Sequence, residues 1–111
     1  MIMPSETRFA EQKVREAFYK LSTGDSSEKE LFKFIDQAMN NLEKNVFCGI
    51  QIPKKQIPAE YIKKYGATNL WKYDLPNAWR LIYSVRGSKF VVISVILEWM
   101  THKEYERKFN Y

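Results

Sequence analysis

The chain holds one cysteine, one histidine, four prolines and four glycines in 111 residues. A lone thiol, Cys48, excludes an internal disulfide and any zinc site built on several cysteines. No apolar run reaches the ~18 residues that a membrane span needs. The opening MIMPSETRF lacks the apolar core of a secretory signal. These absences lead to the expectation of a cytoplasmic protein with no membrane partner. There is also no glycine-rich phosphate loop, no His-x-x-x-His pair, no carboxylate cluster at metal-ligand spacing and no serine in a nucleophile elbow. Neither a metal nor a cofactor is therefore expected. Cys48 stands beside a glycine and far in sequence from His102, which reads as a buried structural thiol rather than a nucleophile.

What is present is 45% hydrophobic and 15% aromatic, enough for a modest core in one domain spanning residues 1–111. Charge is unevenly placed. Through Val46 there are 7 Lys/Arg against 8 Asp/Glu, and from Phe47 onward 11 against 5. The basic excess of the second part points to a polyanionic partner, beside the plainer reading that lysines keep a small domain in solution.

Apolar spacing of three and four residues at Phe9, Ala10, Val14, Ala17, Phe18 and Leu21 predicts a helix over residues 6–22, ended by Gly24 in a left-handed conformation. Ser27 and Glu30 stand at capping-box spacing ahead of a second stripe, Leu31, Ile35, Ala38 and Leu42, which runs to about Lys44. In CGIQIPKKQIP the prolines Pro53 and Pro58 allow at most an edge strand. Residues 59–65 then make a short helix closed by Gly66. Lys54, Lys55, Lys63 and Lys64 either extend a basic surface or keep an edge from pairing.

Alternation with period two marks three strands. In the first, Trp71, Tyr73 and Leu75 oppose Lys72 and Asp74; in the second, Trp79, Leu81, Tyr83 and Val85 oppose Arg80, Ile82 and Ser84. The third, residues 90–99, is apolar on both sides, with Phe90, Val92, Ser94, Ile96 and Glu98 on its less apolar face. Pro76 and Asn77 form the first turn, and Arg86, Gly87 and Ser88 the second. Thr101 and Glu104 form a capping box that starts a last helix at His102. The predicted fold is α+β: two N-terminal helices on a three- to four-stranded antiparallel sheet, with a short C-terminal helix. One sheet face packs on the helices, and the other carries Lys72, Asp74, Arg80, Ser84 and Glu98.

The remaining chemistry rests on Arg, Lys, His and Tyr, a set that suits RNA cleavage without metal. The ribose 2′-hydroxyl is already the nucleophile. The protein needs to supply a base, an acid for the leaving 5′-oxygen, and cations around the phosphorane. His102 titrates near neutrality when unperturbed, and Tyr105 lies one helical turn on. The plainer reading is a solvated capping histidine and a packed tyrosine.

The segment NAWRLIYSV, a following hydrophobic strand and then HKEYERKF together resemble the RelE/ParE superfamily of type II toxins, in particular the RelE-like messenger RNA interferases. The resemblance covers residues 70–109 and the helical hairpin in outline. It implies a metal-independent endoribonuclease that cuts messenger RNA at the ribosome by 2′-hydroxyl attack and is held off by a cognate antitoxin protein. Carried over by position, Arg80 is the phosphate-binding arginine, Tyr105 the C-terminal catalytic tyrosine, His102 the histidine found near it, and Lys72 a cleft lysine. Arg86 and Lys89 are expected to hold RNA phosphates, and Glu98 to act as a base or as the ion partner of Arg80, the second being favoured. Three features depart from the family pattern. Asp74 stands where a second cleft cation is common, no N-terminal strand is visible before the first helix, and the middle segment is longer than in compact members. The alternative function is a non-catalytic or gyrase-directed ParE-like binding module, also neutralised by an antitoxin.

Overall fold

The computed structural model describes residues 2–87 and 90–109. Among them, four α-helices and five strands make an α+β fold on a single mixed sheet. The strands are β1 (Glu6–Phe9), β2 (Ile50–Gln51), β3 (Trp71–Leu75), β4 (Trp79–Gly87) and β5 (Val92–Thr101), and the helices α1 (Gln12–Leu21), α2 (Ser26–Lys44), α3 (Ala59–Tyr65) and α4 (His102–Phe109). The sheet order is β1-β5-β4-β3-β2.

The first correction is at the N-terminal end. Residues expected to begin a helix form β1, which pairs in parallel with β5 from Glu6↔Ile93 to Phe9↔Ile96. The sheet is therefore mixed and has five strands. Phe9 satisfied the helical spacing, yet its ring reaches Phe18 of α1 from a strand, at a centroid distance of 5.5 Å. A strand beside β5 also provides partners for backbone groups that β4 leaves unpaired on that side.

Helix α1 ends without a left-handed glycine: the N–H groups of Ser22, Thr23 and Gly24 bond the carbonyls of Tyr19, Lys20 and Leu21. The capping box of α2 is set by Asp25, not Ser27. The Asp25 carboxylate accepts from Glu28 N–H at 2.9 Å, and the Glu28 carboxylate accepts from Asp25 N–H at 3.2 Å. Other expectations hold. Gly66 closes α3 with φ +62°, and Thr101 and Glu104 cap α4 reciprocally. Strand β5 begins at Val92 rather than Phe90, which is exposed. Ser88 of the second expected turn lies outside the described residues.

Two cores sandwich the sheet. Val14 and Phe18 of α1 and Leu31, Ile35, Ala38 and Leu42 of α2 pack on Leu81, Tyr83 and Ile96. The opposite face, expected to be a polar cleft, is largely covered: Tyr61 of α3 and Tyr105 and Phe109 of α4 pack on Ile82, Leu97 and Met100. Ser84, placed by alternation on that open face, is buried. A bulge decides which residues face which core. Ile82 pairs with Glu98 but Tyr83 pairs with Ile96, so Leu97 is the extra residue. That shift lets Ile96 and Trp99 share the α1/α2 face while Leu97 and Met100 turn to the other, correcting the strict alternation expected for this strand.

Candidate functional site

Arg80 lies on β4 directly opposite Asp74 of β3, at the rim of the face that α3 and α4 cover. The chain passes from β5 into α4 without a linker, and His102 N–H bonds the carbonyl of Ala78 in the β3–β4 turn at 2.7 Å. This junction brings the first residue of α4 to the start of β4. Arg80 Nη2 stands 2.9 Å from His102 Nδ1, and Nη1 donates to the Trp79 carbonyl at 3.1 Å. A guanidinium has only donors, so Nδ1 acts as acceptor and the ring proton resides on Nε2. Nε2 meets the carboxylate of Glu106, one turn along α4.

The second cation is Lys72 on β3. Its ammonium lies 3.2 Å from Asp74 Oδ1, and the same oxygen is 3.0 Å from Arg80 Nε, whose N–H is not directed at it. One carboxylate thus bridges two cations. The Lys72 and Arg80 side chains are only 16% and 15% exposed whereas Asp74 is 47% exposed, so the anion is the solvent-facing member. Tyr105 stacks on Phe109 at 4.6 Å, and Lys72 Nζ lies 5.3 Å from the centre of its ring. Tyr105 is buried in the second core, packed beneath the cations rather than presented to solvent.

Of the residues expected from sequence, Arg80, His102, Lys72 and Tyr105 therefore meet, with Tyr105 as the floor. Glu98 does not join them. Its carboxylate accepts from Tyr61 Oη and from Lys108 Nζ, the latter at 3.3 Å, which corrects its expected pairing with Arg80. The bulge at Leu97 turns Glu98 towards α3 and α4. Burial, reinforced by the bond to Glu98, pushes the Tyr61 hydroxyl well above the usual phenol range. Arg86 donates to the Tyr65 carbonyl at the end of α3, six residues or about 20 Å along β4 from Arg80. Lys89 lies outside the described residues. Cys48 is exposed, not buried as expected, and partial desolvation pushes its thiol up, away from the thiolate a nucleophile requires. Glu106 was missed by sequence reasoning. Its four-residue spacing from His102 was the available signal.

No described helix is long and apolar enough to cross a membrane. Among the described residues no group of three or more His, Cys, Asp or Glu is gathered to hold a metal ion. No family model, curated protein or solved structure matches the chain.

Proposed function

We propose that the protein is a metal-independent endoribonuclease of the RelE type, the toxin of a type II toxin–antitoxin pair, which cuts messenger RNA at the ribosome and is restrained by a cognate antitoxin. The observation that carries this reading is the contact of Arg80 with His102 Nδ1, backed by Glu106 on Nε2 and flanked by Lys72. Strand β1 adds support, because the family that the chain resembles has a strand before its first helix.

In this mechanism an RNA phosphate takes the place of the Asp74 carboxylate between the two cations and draws Arg80 away from Nδ1. The freed Nδ1 accepts the proton of the ribose 2′-hydroxyl, whose oxygen attacks phosphorus. Glu106 stabilises the imidazolium that results. Arg80 faces the charge of the phosphorane. As the bond to the 5′-oxygen breaks, that oxygen takes a proton from the Lys72 ammonium, leaving a 2′,3′-cyclic phosphate and a 5′-hydroxyl. Tyr105 keeps Lys72 in place instead of transferring a proton. Arg86 holds a phosphate further along the RNA, and Lys89 another.

A second reading, the non-catalytic or gyrase-directed ParE-like module, is favoured by one observation: Arg80 and Lys72 already share a carboxylate. Expression in cells with and without the neighbouring antitoxin reading frame, followed by mapping of messenger RNA ends, separates the two. The nuclease reading predicts new 5′-hydroxyl ends within coding sequences only when the antitoxin is absent. Growth arrest with unchanged RNA ends favours the binding module.

A further inference from the structure

Strand β2 pairs Ile50 and Gln51 with β3, and among the described residues the edge of β3 beyond Lys72 has no further strand partner. A cavity of about 450 Å³ opens there. Its wall is built by the turn Val46–Cys48 and by the last turns of α2. Gly49 is needed for that construction: its N–H lies 3.2 Å from Tyr83 Oη, and a Cβ would come 2.5 Å from that oxygen and 2.6 Å from the Lys72 carbonyl. Asn41 donates to Tyr73 Oη at 2.7 Å, and both line the cavity. Lys44, in the last turn of α2, and Cys48, which carries the chain's one thiol, also line it.

Lys72 and Asp74 line this cavity and also belong to the cluster around Arg80. We propose that the cavity is a nucleobase subsite, holding the nucleotide adjacent to the phosphate that Arg80 and His102 engage. The proposal rests on the nuclease reading for its substrate, single-stranded RNA, and adds the side of the site that selects where the cut falls. The Asn41 amide, and the Asp74 carboxylate once a phosphate has displaced it from the cations, suit the hydrogen-bonding edge of a base, a tyrosine suits its face, and flanking ammoniums suit its phosphate.

The single cysteine makes occupancy measurable independently of cleavage. The rate at which an aromatic disulfide reagent modifies Cys48 is followed on the full chain, alone, with an uncleavable 2′-deoxy-substituted hexaribonucleotide, with mixed nucleoside monophosphates, and with inorganic phosphate. The hexanucleotide should slow modification by about tenfold or more, and phosphate should not. Asn41→Ala and Lys44→Ala, checked for a parental urea midpoint, should weaken that protection and change the base preference beside mapped cuts. Protection without any cleavage keeps the subsite and rejects the nuclease reading. Protection by monophosphates alone makes it a free-nucleotide site and overturns its place beside a cut. Binding of the hexanucleotide that leaves the Cys48 rate unchanged, or variants with the parental cut pattern, overturns the subsite while the nuclease reading stands.

Discussion

Asp74 carries the only carboxylate that touches both Lys72 and Arg80 among the described residues, and it is the exposed member of the three. In the proposed reaction an incoming phosphate competes with it for the same donors. Asp74→Asn should therefore raise RNA affinity several-fold, about 1 kcal/mol for an ion pair of this partial exposure, and increase cleavage at subsaturating RNA. Fluorescence anisotropy and initial rates check this; unchanged affinity would mean that the carboxylate does not occupy the phosphate position. Tyr105 supplies the complementary case. With its ring in the core, Tyr105→Ala should destabilise the fold by ~3 to 5 kcal/mol, while Tyr105→Phe should leave the cleavage rate within about threefold of the parent. A loss of a hundredfold in Tyr105→Phe would return the proton transfer to that hydroxyl. At this scale the sequence disclosed that Arg80 and His102 meet, because strand alternation and the linker-free start of α4 fix both. It left two readings for Tyr105, catalytic and packed, since the three-residue spacing that would align it with His102 also suits packing; the structure shows the ring packed.

At the scale of elements, the helices were the most legible part and the parity of β5 the least. A bulge of one residue at Leu97 cannot be read from a run that is apolar on both sides, and it reassigns every side chain beyond it. The same ambiguity hid the second core, because Ile82, Leu97 and Met100 are apolar residues interleaved with the charges expected to line an open face. Leu81→Ala and Leu97→Ala remove packing on opposite faces, each at ~2 to 5 kcal/mol, and urea titration should find the two losses nearly additive. A negligible loss at Leu97 would mean that α3 and α4 do not seal that side. The caps of α2 and α4 give a pH prediction. Hydrogen bonds from Glu28 N–H and Thr101 N–H lower Asp25 and Glu104 below their ordinary values of 3.8 and 4.5. A depressed folded-state pKa adds stability that is present above the unfolded value and lost as pH falls through the folded one. Thermal midpoints should thus decline below about pH 4, and the decline should be shallower in Asp25→Asn, which keeps an N-cap without a titrating group.

The whole molecule gathers its positive charge in the part that carries β3, β4, β5, α3 and α4, with 11 Lys/Arg against 5 Asp/Glu from Phe47 onward. RNA affinity should therefore fall linearly on a logarithmic salt axis, and Lys72→Glu should flatten that slope. The pairing of these cations with their carboxylates was less legible, because it depends on register across strands and not on order in the chain. Arg80 and His102 are proposed to perform cleavage, and single-turnover cutting of messenger RNA on programmed ribosomes, measured beside equilibrium RNA binding, decides whether they do. The parent should cut, and Arg80→Ala and His102→Ala should each lose about a hundredfold or more in rate while keeping most of their RNA affinity. Failure of the antitoxin-free parent to cut, or parental rates in both variants, would contradict it.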